Sequence, residues 1–279
     1  MNINLCLTCW HLNGTASPFY ISSKEGEHNT GIGNMLFQIS SGMNYALKNN
    51  ASLHAPTINT YLRAENLKKE DTIFKNISTQ LLPGYNETTM KKNHDPLGNI
   101  FEIPFENNIT VEGYFERVEN FYESKKLILD QFRPSEKEKE YLYAKYPVIK
   151  ENDSLTSIHI RRGADMKKLI PKEQQKRYGI ESLRALDYMV SQKKIKNVFV
   201  LTNDKEYAKN LFKNYTTLNF YYSNERDYYD IWLISLIKNN VLSRSTLAWW
   251  GSFLNEQNDK YVIGSKNIGI RPCPDFNFI

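Results

Sequence analysis

The chain has 279 residues, 41% hydrophobic and 24% charged, which is enough for one large core or two domains of ordinary size. Its net charge of +5 suits anionic ligands but gives no concentrated basic face, which argues against a nucleic-acid binder. Every apolar run is shorter than the ~18 residues of a membrane span, and the amino terminus lacks a secretory signal pattern. We therefore expect a cytoplasmic protein without a membrane span, and leave peripheral membrane association open.

The amino-terminal half contains one clear helix. We predict a strand over residues 2–10, a polar loop over residues 11–30, and then a helix that begins at a glycine-rich turn. Its apolar positions share one helical face and are Met35, Leu36, Ile39, Met43, Ala46 and Leu47. Residues 51–110 are irregular and polar, so we predict no order of elements there. Further on, Pro134 and Ser135 indicate the start of another helix.

The sequence pattern changes near residues 150–153, and we place a domain boundary there, between residues 1–152 and 153–279. Beyond it the predicted strands are "LTSIHI", "NVFVLT", "LNFYY" and "NVLS". They alternate with the predicted helices "GIESLRALDYMVSQ", "KEYAKNLF", "DYYDIWLISLIKNN" and "TLAWWGSFLNEQ". Such alternation predicts βαβ units on a parallel sheet, and therefore an α/β fold.

The sequence shows no convincing metal or redox site. Cys6 and Cys9 form a C-x-x-C, but positions three apart on a strand point to opposite faces, and Cys273 is isolated. No D-x-D occurs, and the one D-x-E, from Asp204 to Glu206, opens a predicted helix where capping accounts for it. We expect no metal and no other cofactor.

Polar residues follow three predicted strands of the second domain, in "HIRRGAD", "LTND" and "SRST". Open parallel sheets bind ligands outside the carboxyl ends of their strands. The period of two in a strand puts His159 and Arg161 on one side, and Arg162 on the other with the isoleucines. A guanidinium keeps its charge and matches phosphate oxygens, so we predict a phosphorylated ligand beside His159 and Arg161. The alternative is that the arginines pair with carboxylates such as Asp165 or Asp204.

Two further features are compatible with a phosphate. Ser245 and Thr246 precede a predicted helix, where they either act as N-caps or help a helix amino terminus to bind an anion. The turn at residues 31–34 carries two glycines, and glycine lets a backbone approach a phosphate closely. Neither a full G-x-G-x-x-G nor a Walker pattern occurs, which argues against a dinucleotide enzyme or a P-loop NTPase.

The ordered set "GIGNMLFQ", "GYFER", "HIRRGAD", "LTND" and "DIWLISLIKNNVLSRSTLAWWGSFLN" resembles the α1,2-fucosyltransferases. Members of that family carry a G-x-G-N-Q turn, an H-x-R-R-G-D motif and an N-S-T-F-S-W-W segment in this order. The resemblance implies a GT-B type fold of two facing Rossmann-like domains with parallel sheets. The first domain would be mainly acceptor-side, and the second would bind GDP-β-L-fucose.

The resemblance also implies an activity and a site. The activity is metal-independent transfer of L-fucose, with inversion, to the 2-hydroxyl of a galactosyl glycan acceptor. Arg161 would contact the diphosphate, Ser245 and Thr246 the β-phosphate or fucose, and Asp230 the guanine. The residues assigned to substrate binding are Gly31, Gly33, Asn34, His159, Arg161, Asp204, Asp230, Ser245 and Thr246.

Two residues are assigned to catalysis. Arg161 would stabilise the charge that develops on the departing diphosphate. Asp165, which follows the same strand, is the first candidate for the base that deprotonates the acceptor. Glu25, Glu27 and Glu116 in the first domain are reserve candidates for the same role.

Two alternative functions stay open from the sequence. One is a GDP-fucose-dependent transferase with another linkage or acceptor. The other is a module that binds nucleic acid or an anionic surface through a basic run. The competing interpretation of that run is a solvated loop or helix face. The run consists of Lys167, Lys168, Lys172, Lys176 and Arg177. The sequence does not indicate an oligomeric state.

Overall fold

The structure is a computed structural model that describes residues 17–22, 31–80, 90–92, 95, 97–106, 109–161, 179–266 and 271–279. The chain divides into two compact units, a first unit of Met1–Arg133 and a second unit of Pro134–Ile279. Each unit has a parallel sheet flanked by helices, which confirms the α/β fold. The predicted strand at residues 2–10 lies outside the described residues.

The division comes earlier in the chain than the predicted boundary between residues 152 and 153. The reason is that the segment directly after Pro134 packs within the second unit. Lys145 forms an ion pair with Glu225, and the Tyr146 ring meets Phe199 edge-on with centroids 5.2 Å apart. Local sequence pattern does not reveal such contacts between distant parts of a chain.

The described residues of the first unit form a sheet of four parallel strands in the order β2-β1-β4-β3. They are β1 (Ser17–Ser22), β2 (Ala51–His54), β3 (Met90–Lys92) and β4 (Thr110–Glu112). The prediction of a loop over residues 11–30 is therefore wrong for the part that forms β1. β2 and β4 pair with the two sides of β1, and their hydrogen bonds satisfy the backbone N–H and C=O groups of β1. The loop was predicted because the sequence on both sides of β1 is polar.

The α-helices in the described part of this unit are α1 (Ile32–Lys48), α2 (Ile58–Ala64) and α3 (Lys125–Phe132). Helix α1 confirms the helix predicted after the glycine turn, and five of its six predicted apolar positions are buried. Leu47 is the exception, at 45% exposure, because the last turn of α1 is open to solvent. The Phe37 ring of α1 packs edge-on against Phe121, with centroids 5.8 Å apart.

The second unit is built on six parallel strands in the order β10-β9-β8-β5-β6-β7. The strands are β5 (Thr156–Ile160), β6 (Asn197–Thr202), β7 (Asn219–Tyr222), β8 (Asn239–Val241), β9 (Tyr261–Gly264) and β10 (Asn277–Phe278). The helices are α4 (Glu136–Lys145), α5 (Val148–Glu151), α6 (Ile180–Lys193), α7 (Lys205–Leu211), α8 (Asp227–Leu236) and α9 (Thr246–Phe253). All four predicted strand and helix pairs are present, but the third helix ends at Leu236 and not at Asn240, which belongs to β8. β9 and β10 were not predicted.

The strand order of the second sheet reverses between β5 and β8. From β5 the chain moves outward through β6 and β7, returns to β8 on the other side of β5, and continues to β9 and β10. Ile158 and Ile160 of β5 join the core formed with Ala185, Leu186 and Met189 of α6. Among the described residues, no helix is both long and apolar enough to span a bilayer.

Candidate functional site

The two strands beside the reversal point carry the main polar motifs. β5 ends at Ile160 and is followed by Arg161, while β8 ends at Val241 and is followed by a four-residue segment that leads into α9. In an open parallel sheet, the carboxyl ends of the strands at such a reversal form the usual ligand crevice. The fold therefore brings His159 and Arg161 to the strand end next to the one that leads into "SRST".

Three buried polar atoms at these strand ends lack a hydrogen-bond partner among the described residues. They are Nδ1 of His159, Oγ of Ser243 and Oγ of Ser245. Buried polar groups are nearly always paired, and leaving one unpaired costs about 1–3 kcal/mol. These three atoms lie at neighbouring strand ends, where a polar ligand would find hydrogen-bond partners.

His159 is neutral and lies close to a fixed positive charge. Burial, followed by repulsion from Arg161, lowers the pKa of His159 from 6.5 to about 3. The alternation of β5 agrees with the predicted sides, because Ile158 and Ile160 enter the core next to α6. On the side of His159, the Oγ of Ser157 accepts a hydrogen bond of 2.8 Å from Nδ2 of Asn240.

The start of helix α9 does not use its serine as a cap. Ser245 has the extended backbone of an N-cap residue, with φ −146° and ψ 125°, but its side chain makes no capping hydrogen bond. Its backbone N–H donates to Ser243 O at 2.7 Å, which forms a tight turn with the exposed Arg244 at the apex. Thr246 follows as the first helical residue and is half-buried.

Ser243 is a residue that the sequence reasoning missed. The available signal was its spacing, since two serines separated by one residue directly after a strand reach the same side in an extended backbone. That signal is weak in a sequence with many serines. The two serines become candidates for ligand binding only because the structure buries both hydroxyl oxygens.

Asp204 lies at the carboxyl end of the next strand, β6. Its Oδ1 accepts a hydrogen bond of 3.0 Å from the N–H of Tyr207, so the carboxylate caps α7. This is the capping role predicted for the D-x-E pattern. In the described part of the chain, no three His, Cys, Asp or Glu side chains form a group that could hold a metal ion.

Asp230 lies in the first turn of α8, which follows β7 at the edge of the sheet. The Ser223 hydroxyl donates a 2.5 Å hydrogen bond to its Oδ1, and Ser223 in turn accepts one of 3.0 Å from the N–H of Glu225. Burial raises the pKa of Asp230 to about 7, against the lowering effect of the Ser223 bond. Asp230 is therefore partly protonated near neutral pH.

Gly31, Gly33 and Asn34 lie at the start of α1 in the first unit. Gly31 is exposed, has φ −59°, and a Cβ added there would meet no described atom within 4 Å. Local packing and backbone conformation therefore do not require glycine at position 31. Gly33 is buried, and Asn34 donates its N–H to Gly31 O at 2.9 Å.

The predicted site residues fall into three sets. His159, Arg161, Ser245 and Thr246 come together at the ends of β5 and β8, and Asp204 and Asp230 follow at β6 and β7. The glycine turn belongs to the first unit. Asp165, Arg162 and the basic run from Lys167 to Arg177 lie outside the described residues, as do Glu25 and Glu27.

Comparisons with known proteins identify the family of the chain. The family Glycosyl transferase family 11 matches residues 28–268. The chain is 27% identical over 221 residues to the O-antigen biosynthesis glycosyltransferase WbnK of Escherichia coli, covering 71% of this chain and 72% of that protein. It is 25% identical over 277 residues to an alpha-1,2-colitosyltransferase of Escherichia coli, covering 88% and 90%.

A solved structure shares the fold. The fucosyltransferase NodZ from Bradyrhizobium has a TM-score of 0.51 with 15% identity, and the match covers 86% of this chain and 94% of NodZ. The family match includes the glycine turn and every motif of the second sheet, which confirms the resemblance stated from the motifs. The protein is a glycosyltransferase, and the chain belongs to glycosyl transferase family 11.

Proposed function

We propose that the protein transfers L-fucose from GDP-β-L-fucose to the 2-hydroxyl of a galactosyl unit in a glycan acceptor, with inversion and an α1,2 linkage. The observation that carries the proposal is the set of unpaired buried atoms on His159, Ser243 and Ser245, beside Arg161. A diphosphate brings both negative charge and many acceptor oxygens. It therefore supplies partners to the serine hydroxyls and accepts charge-assisted hydrogen bonds from the guanidinium.

In this proposal the second unit holds the donor. Arg161 neutralises the charge that develops on the leaving diphosphate, and the N–H groups at the start of α9 add to this field. Neutral His159 contributes a hydrogen bond without adding charge. Asp230, once ionised, suits the N1–H and 2-amino donors of guanine, while Gly31, Gly33 and Asn34 of the first unit serve the diphosphate. Two facing domains of GT-B type are part of the same proposal.

The linkage and the acceptor rest on relatives. The name alpha-1,2-colitosyltransferase, on a protein similar over 88% of this chain, supports an α1,2 linkage. The name of the O-antigen biosynthesis enzyme supports a glycan acceptor. Neither name specifies galactose, which comes from the motif resemblance.

Incubation with GDP-fucose and a panel of β-galactosides, including lactose and N-acetyllactosamine, tests the proposal. We expect release of GDP and a product from which an α1,2-specific fucosidase removes fucose. A product that resists this enzyme but yields to a fucosidase of other specificity would show that the linkage is wrong. No GDP release with any acceptor would contradict the activity.

The similarity to the colitosyltransferase favours a second candidate donor, GDP-colitose. Colitose is fucose without its 3-hydroxyl group. A site that hydrogen-bonds this hydroxyl would reject the deoxy sugar by about 10⁴-fold or more, whereas a site that ignores it would accept both sugars. The ratio of kcat/KM for the two donors decides between them.

A further inference from the structure

We propose that Tyr146 is a positioning residue for the nucleotide base of the donor, and that it acts through the loop after β7. The inference rests on the proposed function, in which Asp230 meets the guanine, and adds the residues that hold Asp230 in place. The β7–α8 loop consists of residues 223–226, between the end of β7 at Tyr222 and the start of α8 at Asp227. All these residues belong to the second unit.

The β7–α8 loop lies at the edge of the sheet and is held mainly by side chains. β7 is the last strand of the described sheet, so β6 is its only strand neighbour there. The pairing with β6 reaches into the loop, because the N–H of Ser223 donates to the carbonyl of Val200 at 3.0 Å. Beyond Ser223, the loop is bonded to side chains of α4, of α7 and of Tyr146.

One hydroxyl group bonds to two consecutive residues of the loop. The hydroxyl of Tyr146, directly after α4, accepts a hydrogen bond of 3.0 Å from the N–H of Asn224 and donates one of 3.1 Å to Oε1 of Glu225. A tyrosine hydroxyl has one hydrogen to donate, and Glu225 takes it. The ring of Tyr146 rests edge-on against Phe199 of β6, which gives the hydroxyl a defined place.

The Glu225 carboxylate is buried within the same group of side chains. Only 6% of its side chain is exposed, and it forms an ion pair with Lys145. The hydroxyl of Tyr141 donates to it at 3.4 Å, and Oδ1 of Asn224 accepts a hydrogen bond from Nζ of Lys205. A buried ion pair by itself adds little to stability, because the loss of hydration offsets the attraction between the charges. Its consequence here is a fixed conformation of the loop.

A second hydroxyl connects the loop to Asp230. Oγ of Ser223 accepts a hydrogen bond of 3.0 Å from the N–H of Glu225 and donates one of 2.5 Å to Oδ1 of Asp230. The bond from Glu225 leaves the single hydrogen of the Ser223 hydroxyl for Asp230. The contacts therefore run without a gap from Tyr146 through Glu225 and Ser223 to the carboxylate that would meet the base.

The chemistry of the base separates this role from a general effect on stability. Guanine presents two adjacent donors to a carboxylate, the N1–H and the 2-amino group, whereas hypoxanthine presents only the N1–H. With Asp230 in place, GDP should bind more tightly than inosine diphosphate, and this preference depends on where the carboxylate oxygens lie. A displaced carboxylate lowers the preference. A loss of folded protein lowers the apparent affinity for both nucleotides in the same proportion.

Calorimetry with GDP and with inosine diphosphate tests the role of Tyr146. Tyr146→Phe removes the hydroxyl and keeps the ring. We expect the wild type to prefer GDP by about tenfold or more, and both Tyr146→Phe and Ser223→Ala to reduce this preference to about threefold or less. Tyr215→Phe is the matched control, because its hydroxyl donates to Oδ1 of Asp187 at 2.6 Å and not to the loop. It should melt earlier and keep the wild-type preference.

Four results would overturn the proposal. They are a folded Tyr146→Phe protein with the wild-type preference, an equal loss of affinity for both nucleotides, an unfolded Tyr146→Phe with an unchanged preference in Ser223→Ala, and a wild type that binds the two nucleotides equally. In each of these cases the binding of GDP by the wild type still supports the assignment of the donor. A wild type that binds neither nucleotide would refute the proposed function, and this inference with it.

Discussion

At the scale of single residues, burial holds two titratable groups of the second sheet toward their neutral forms. The pKa of His159 falls to about 3, and the pKa of Asp230 rises to about 7. His159 is therefore neutral, and the positive charge at this strand end is that of Arg161 alone of these two residues. With a pKa of about 7, Asp230 changes its charge near neutral pH.

Asp230→Asn should change how stability depends on pH. Between about pH 4 and pH 7 the folded protein keeps a proton on Asp230 that the unfolded chain loses, so the free energy of unfolding falls as pH rises. The slope from one such group is at most about 1.4 kcal/mol per pH unit. Urea unfolding across this range should show that the free energy of unfolding of Asp230→Asn increases relative to that of the wild type as pH rises.

The contribution of His159 to stability changes with pH in the opposite direction, and it cancels when the variant is compared with the wild type. Its contribution to stability is complete above pH 6.5 and is lost as the pH falls toward about 3, because the unfolded chain binds the proton first. Both proteins contain His159, so the difference between them reports Asp230 alone. A difference that stays constant from about pH 4 to pH 7 would contradict the raised pKa of Asp230.

The sequence predicts part of this residue-level chemistry. The period of two in a strand is enough to place His159 and Arg161 on one side, because it depends only on local geometry. The burial of Asp230 depends on how α8 packs at the end of β7, and the unpaired hydroxyl of Ser243 depends on the neighbouring strand. Neither is visible in a local pattern.

At the scale of secondary-structure elements, the start of α9 differs from the start of α4. Helix α4 begins with a capping box, in which the N–H of Ser135 donates to Oε2 of Glu138 at 2.6 Å. At α9 the serine in the same position makes no capping bond, and its hydroxyl is buried. The two helices thus begin with serines whose side chains make different contacts: one caps its helix and the other does not.

Replacing Ser245 and Thr246 together by alanine should weaken donor binding without lowering stability. No capping bond is lost at Ser245, and removing an unpaired buried hydroxyl is close to neutral or stabilising. Ser135→Ala is the control, and it should cost about 1 kcal/mol of stability while leaving GDP affinity unchanged. Thermal melting and calorimetry with GDP provide both quantities. If the double variant melts early and binds GDP normally, these residues are only structural.

Helices and strands could be predicted where the spacing of apolar residues within the segment itself shows a clear period. Helix α1 and the four strand and helix pairs after residue 153 have clear periodicity, and the structure contains all of them. The strands β1, β2, β3, β9 and β10 have only two to six residues each, and three of them lie in polar stretches. Their backbone bonds come from strands far away in the sequence, so periodicity could not reveal them.

At the scale of the whole molecule, two α/β units each carry one set of family motifs. The glycine turn at the start of α1 lies in the first unit, and the candidate residues at the ends of β5 and β8 lie in the second. The boundary at Pro134 could not be predicted, because it depends on contacts such as that between Tyr146 and Phe199. The family itself was predictable, because motif order survives where overall identity is low.

Transfer should survive a chelator. In the proposed site, Arg161 and helix N–H groups stabilise the negative charge of the diphosphate. In metal-dependent transferases a divalent cation provides this stabilisation. We expect equal rates of GDP release with and without EDTA, using GDP-fucose and an accepted galactoside. Loss of activity in EDTA that Mg²⁺ or Mn²⁺ restores would show that the metal-free mechanism is wrong.

The most direct test of the account is GDP binding by Arg161→Ala, measured by calorimetry on a protein shown to be folded. Loss of a charge-assisted bond worth about 1.5–3 kcal/mol should weaken GDP roughly 10- to 100-fold. Arg161→Lys should recover part of the affinity, since it keeps the charge without the planar fork. Arg184→Ala, an exposed change on α6, should bind like the wild type. Wild-type GDP affinity in folded Arg161→Ala would contradict a diphosphate site at the ends of β5 and β8.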